Sequence, residues 1–349
     1  MAGQPSLQSQ KYQVEDSHEA VFDYVMSQGW GDGLPVIPPT EERVRAMVEA
    51  TDSPAGHMVG IMGPAKGQAT VEKIAINAVM AGCLPQYMPV LVAAVEAICE
   101  PEFNLDGVQS TTNPCGVGLI VNGPIRHEID LNCSRNCMGP GWRANATIGR
   151  AMSLIWLNIG GAAPGEVDKA SHGYPGKYSL CFGEDEEHTP WEPLHVERGF
   201  RKEESTVTVN SFNGTLNVIG ATYTEIDNML YVMAYDFGQM GSNNLHLGKG
   251  NPGLVITAGH ARLAFEKGMS KSDVKKYIYD NSGVPADKLR PMIRRHRIDA
   301  VIVDGVAHQS RTVDDIMIIV AGGIEPYHAV VMPTFGDSYA VTKAIRKPI

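Results

Sequence analysis

No stretch of this chain reaches the roughly 18 uninterrupted apolar residues that a membrane span requires, and its start lacks a basic segment followed by an apolar one. The expectation is a protein without a membrane partner, located in the cytoplasm. Cysteine is scarce, with six in 349 residues, which is too thin for a disulfide scaffold and points to reduced thiols. No C-x2-C pair occurs, so zinc ribbons and thioredoxin-like redox pairs are excluded as motifs. Basic residues are outnumbered: the formal net charge is −10, which repels a phosphate backbone, and nucleic acid is not an expected partner. The only basic run, at residues 290–297, reads as a solvated helix face or as an anion or subunit contact. Glycine-rich phosphate motifs are missing as well. Ala321-Gly322-Gly323 is too short for a dinucleotide fingerprint and no P-loop is present, so neither NAD nor ATP is expected.

What the chain does contain is enough apolar sequence, 43%, for one large core or two ordinary ones. The expected fold class is mixed α/β: a disordered N-terminus over residues 1–15, an N-terminal helical and loop-rich domain over 16–204, and a C-terminal α/β domain over 205–349. Apolar spacing predicts helices at 17–28, from a Thr40 cap, at 70–81, at 89–99 and through Ile148, Met152, Ile155 and Ile159, with a strand at 117–121. Residues 165–200 show no sustained period and are expected to be an irregular loop. Beyond 204 strands are expected near Val207, Leu216, Leu230 to Tyr235, Leu254 to Thr257, Val301 and Ile316 to Val320. A strand, glycine turn and helix are expected around His260, and a Ser270-capped helix after it. The Pro-rich segment Asp32 to Pro39, with Met229, Met233 and Met240 as surface candidates, suits subunit contacts, so a homo-oligomer is expected.

Reactive residue types concentrate in two regions. Between Thr111 and Asn145, polar glycine-rich loops bracket Cys115, Cys133 and Cys137. There Asn113, Arg143 and Asn145 are candidate substrate-binding groups, and Arg135 or Arg143 a candidate for lowering a thiol pKa. Cys115 ranks first as a catalytic thiol, because Asn113-Pro114 fixes an extended approach and Gly116 frees backbone amides. The C-x3-C pair Cys133 and Cys137 is a weak metal signature; with Cys115 it offers three thiolates for a metal or iron–sulfur cluster. The second region places carboxylates beside imidazoles, in Glu184-Asp185-Glu186-Glu187-His188 and around His195 and Glu197. In an extended segment His195 and Glu197 point the same way, as an acid/base or ligand pair, whereas Glu184 to Glu187 also reads as a solvated acidic loop. His260, at a helix start, and His328, after a glycine turn, read either as capped structural histidines or as acid/base or binding groups.

Ala258-Gly259-His260-Ala261, Gly268-Met269-Ser270-Lys271-Ser272-Asp273-Val274, Ile316-Met317-Ile318-Ile319-Val320-Ala321-Gly322-Gly323, Gly336-Asp337-Ser338 and Val341-Thr342-Lys343-Ala344-Ile345 resemble bacterial proteins of, or encoded beside, the UGSC family of thiol and selenocysteine proteins. Residues 30–40 and 141–161 are further echoes. The resemblance implies thiol chemistry in a bacterial enzyme component, although the family's defining tetrapeptide does not occur here, since the chain has no Cys-Gly-Ser-Cys. The leading functional expectation is an enzyme, or enzyme subunit, that acts on a small polar or anionic substrate with a cysteine and histidine set, by redox chemistry or carbon–heteroatom bond cleavage. The alternatives are a metal or iron–sulfur dependent lyase and a non-catalytic assembly subunit.

Overall fold

The computed structural model describes residues 6–219, 224–289 and 302–347. The basic run at 290–297 and the strand expected at Val301 lie outside the described residues.

The first half of the chain begins with α1 (His18–Ser27) and α2 (Glu41–Glu49). Thr40 caps α2 by accepting from the Arg43 amide, and Glu41 and Glu42 sit in its first turn, where the helix dipole favours them. A hairpin, β1 (Met58–Met62) and β2 (Gly67–Thr70), leads into α3 (Val71–Ala81), capped by Thr70, and then α4 (Met88–Ile98). After α5 (Leu105–Ser110) comes β3 (Gly116–Asn122), buried along its whole length. There follow α6 (Ile125–Glu128) and α7 (Arg143–Asn158). No side chain caps the start of α7. Its stability comes instead from packing of Ile148, Met152 and Ile155, all fully buried. The segment expected to be irregular contributes a 3-10 turn at Pro175–Lys177 and two further short elements, β4 (Cys181–Gly183) and α8 (Leu194–Glu197).

The second half holds β5 (Thr206–Phe212), β6 (Leu216–Ile219), α9 (Ile226–Phe237), α10 (Asn243–Leu247), β7 (Gly253–Ile256), α11 (Ala258–Glu266) and α12 (Lys271–Asn281). The short strands β8 (Val284–Pro285), β9 (Ile302–Val303) and β10 (Val306–Ala307) pair among themselves, and β11 (Met317–Val320), β12 (His328–Met332) and β13 (Val341–Ala344) complete the chain. The strand expected at Leu230 to Tyr235 is part of α9. Ile226, Met229, Leu230, Met233, Ala234 and Phe237 fall three and four residues apart and bury one helical stripe, which an apolar run of six read alone does not reveal. Met229 and Met233, expected at the surface, therefore lie in the core, while Met240 is exposed. Among the described residues no helix is long and apolar enough to cross a membrane.

The fold is mixed α/β, and its strands form two main sheets, in the orders β13-β5-β3-β4 and β11-β7-β12-β6. Each contains one parallel pair, β3 with β4 and β7 with β11. Alternation along the strands explains how they stack. In β3, Leu119 and Val121 join the core under α3, α4 and α7, whereas Ile120 turns to the opposite face. In β11, Ile318 and Val320 pack with α9, α11 and α12, whereas Met317 and Ile319 meet Ile120, Phe182 and Phe212. This is the period of two expected of strands buried on both faces, and it yields four layers: helices, sheet, sheet, helices. Because β5 and β13 both pair into the sheet of β3, that sheet draws strands from both sides of residue 204.

Candidate functional site

The parallel pair of each sheet ends at the same seam. At the end of β4 the Asp185 amide donates to the Val320 carbonyl at the end of β11 (2.7 Å), and the Gly322 amide donates to the Cys133 carbonyl (2.9 Å). The Ala321 amide reaches the Ile256 carbonyl of β7 (2.9 Å). Crevices beyond the carboxyl ends of parallel strands are the usual ligand positions in α/β proteins. Gly322 has φ +101°, a left-handed conformation that favours glycine and lets the chain turn directly under this seam.

Side chains of opposite charge converge there. Arg126, nearly inaccessible to solvent, pairs with both Glu187 oxygens (2.8 and 3.1 Å) and with Glu186 (3.2 Å), and its Nε donates to the Gly123 carbonyl. Burial pushes the Glu187 carboxyl up, but Arg126 and His127 more than offset this and hold it at about 2. The Glu184 carboxylate, wholly buried, accepts from the Asn122 side chain (2.7 Å) and the Leu194 amide (2.7 Å). Asp185 is also buried and receives His188 Nδ1 at 2.9 Å, whereas the His188 ring is largely exposed. An ionised carboxylate only accepts, so Nδ1 carries the proton and Nε2 is the basic nitrogen. The acidic run is thus not a solvated face at Glu184 and Asp185: both carboxylates are drawn inward by donors from β3, α8 and His188.

Cys133 completes the group. Its sulfur lies 3.9 Å from Arg126 Nη1 and within 4.8 Å of carboxylate oxygens of Asp185 and Glu187. The fit is tight, for a Cβ on Gly183 would stand 3.1 Å from Cys133 Cβ and 3.2 Å from Arg126 Cδ. Burial raises the Cys133 thiol pKa, Arg126 opposes that, and Asp185 and Glu187 add to it. Burial thus favours the protonated sulfur, which lies beside the carboxylates of Asp185 and Glu187.

The other candidates are placed elsewhere or held otherwise. Cys115 lies just before β3, at the far end of that strand from Cys133, about 20 Å away at the usual rise per residue. It is buried, its thiol donates to Asn213 Oδ1 (3.2 Å), and burial, with a smaller contribution from Asp168, pushes its pKa up to about 12 against the opposing charge of Lys177. Cys137 is buried in the apolar layer between the sheets, its thiol pushed up to about 12 by burial first and Cys133 second. The three thiols therefore do not converge, and Cys133 has Asp185 and Glu187 as its near donor atoms instead of Cys115 and Cys137. Asn113 Oδ1 accepts from Asn243 (3.0 Å) beside Cys115, away from the seam. Arg143 Nε donates to the Gly82 carbonyl (2.9 Å), and Arg135 pairs with Glu325. Neither is the cation beside Cys133; Arg126 is. Asn145 is a buried clamp whose side chain accepts from the Asn132 amide (2.9 Å) and donates to the Asn132 and Cys137 carbonyls (2.9 and 3.0 Å), fixing the loop that carries Cys133.

His195 and Glu197 lie in α8, one helical turn started after Pro193, so they do not share an extended face. His195 is fully buried, with Nε2 near the Lys202 carbonyl (3.3 Å) and Nδ1 without a partner among the described residues. Glu197 pairs with Lys275 and with Lys271 (3.1 Å), and these two lysines outweigh burial and lower its pKa. His260 sits in the first turn of α11, where its Nδ1 accepts from the Thr257 amide (3.2 Å) in a capping box. Burial, with His328 adding, pushes its pKa down to about 4. His328 is exposed at the start of β12. Asp185, Glu187 and His188 belong to the second region read in sequence, whereas Arg126 was not singled out, since its pairing with residues some sixty positions away leaves no local pattern.

No protein-family model matches the chain, nor does any curated protein or solved structure.

Proposed function

We propose that the chain is an enzyme acting on a small polar or anionic molecule at the seam, with Cys133 as its reactive thiol. One observation carries this reading. Of the six cysteines, four are buried and only Cys99 and Cys133 reach solvent. Burial first and Glu100 second raise the Cys99 pKa; burial, Asp185 and Glu187 raise that of Cys133 as well, but Cys133 has in addition a guanidinium 3.9 Å away that opposes them. A partly exposed thiol with a guanidinium beside it is the more reactive of the two. Arg126 then stabilises developing thiolate charge, and Asp185 takes the thiol proton while the His188 Nδ1–H holds that carboxylate in place. A dithiol redox cycle needs a second accessible sulfur, and Cys137 is a buried thiol. Single-thiol chemistry, with cleavage of a carbon–heteroatom bond, therefore fits better. The resemblance to thiol and selenocysteine proteins agrees with thiol use.

A second reading is favoured by the three donor atoms of Cys133, Asp185 and Glu187, which lie within 4.8 Å of one another and suit a divalent transition metal. Arg126 stands against it, because a cation there meets a buried guanidinium that already holds both Glu187 oxygens. The test is consumption of a pool of small polar metabolites followed by mass spectrometry, with metal content measured on the same protein. The thiol reading predicts turnover by metal-free wild type, its loss in Cys133→Ser and its retention in Cys115→Ser. Turnover by Cys133→Ser, or turnover only with stoichiometric metal, would overturn it.

A further inference from the structure

Away from the seam, a cleft of about 610 Å³ opens between α8, α12, β11 and β13, the last two being edge strands of the two sheets. Its size is that of a small-ligand pocket. Arg198 lines it. The guanidinium donates from Nε to Thr342 Oγ1 and from Nη2 to the Ala340 carbonyl, both at 2.6 Å, and forms no ion pair among the described residues. Its sequence neighbour Glu197 is already committed to Lys271 and Lys275. Asp314 lines the same cleft, is exposed, and has no ion pair or hydrogen bond of its carboxylate among the described residues. Leu194, Phe200 and Met317 supply the apolar wall.

Glu197 attracts Arg198 through space but forms no ion pair with it, and a part-buried arginine without a paired carboxylate is costly. Here a cation and an anion line one cleft and do not meet. A ligand with a carboxylate for the first, a cation for the second and an apolar body for the wall satisfies all three. A dianion such as phosphate is disfavoured by Glu197 and Asp314.

We propose that this cleft binds a free α-amino acid with an apolar side chain, its carboxylate on Arg198, its ammonium on Asp314, and its side chain against Leu194, Phe200 and Met317. The proposal does not rest on the reactivity of Cys133.

Isothermal titration of the full chain with leucine and phenylalanine tests it, alongside two analogues that each lack one charge, 3-methylbutylamine and 4-methylpentanoate. The expected result is saturable binding of an amino acid, with the two analogues each weaker by about tenfold or more, a loss typical of one charged hydrogen-bonded contact. Arg198→Gln and Asp314→Asn should each weaken amino-acid binding by a similar factor. Asp314 is exposed and its substitution leaves folding intact, so the test stands even if the arginine variant fails to fold. Absence of binding by the wild type, equal binding of 4-methylpentanoate and leucine, or unchanged affinity in Asp314→Asn would overturn the proposal.

Discussion

Lowering the pH from 7 to 5 should cost this protein stability through His260 before Glu187 of the seam responds. His260 is 1% exposed, and its Nδ1 accepts from the Thr257 amide, so a proton there removes an acceptor and buries a charge. Its pKa is lowered from 6.5 to about 4 in the fold. The fold thus favours the neutral ring, and the stability from this group is complete above pH 6.5 and lost as pH falls toward 4. Linkage gives a loss of about 2 kcal/mol at pH 5 and about 3 kcal/mol once both states are protonated. The stabilisation from the Glu187 carboxyl, held at about 2, is full at both pH values and is lost only as pH falls from 4.5 toward 2. Urea unfolding at pH 7, 6 and 5 measures the effect, with His260→Gln as reference, since glutamine at the third helical position can complete a capping box without titrating. The wild type should lose about 2 kcal/mol more than the variant between pH 7 and pH 5. Parallel profiles for the two proteins would refute the reasoning.

Other substitutions separate structural from reactive groups. Asn145→Ala should cost about 3 kcal/mol in urea unfolding, because three hydrogen bonds to backbone of the Cys133 loop are lost and their buried partners stay unpaired. Cys115→Ser should cost no more than about 1 to 2 kcal/mol, since a hydroxyl can still donate to Asn213; a larger loss would mean the thiol packs more critically than its single bond implies. Arg126→Gln should destabilise by about 3 to 5 kcal/mol by leaving Glu186 and Glu187 without their guanidinium, and a near-neutral result would show that solvent compensates them.

The helices and strands that carry a local signature were readable in sequence. Thr40 and Ser270 cap the helices they were expected to cap, and β3, β7 and β11 are short apolar runs ended by small or polar residues. What could not be read depends on partners distant in the chain. The stripe of α9 mimics a strand when only Leu230 to Tyr235 is considered, and β4 has three residues, too few for any period. The site shows the same limit. Cys133 and the acidic run were visible as residue types, yet burial of Glu184 and Asp185 follows from where β3 and β4 end side by side. Arg126 gave no signal, as its partners Glu186 and Glu187 lie some sixty residues on. Asn145 read as a binding group because a polar residue on a helix that otherwise packs looks functional, whereas it serves the backbone of a loop.

The most direct test of Cys133 as the reactive thiol is the alkylation rate of each cysteine in the native protein, followed by peptide mass spectrometry at limiting iodoacetamide across pH 6 to 9. Access and the Arg126 guanidinium place Cys133 first, Cys99 behind it, and Cys83, Cys115, Cys137 and Cys181 protected until the protein unfolds. Labelling of Cys115 as fast as that of Cys133, in protein that remains folded, would contradict the account.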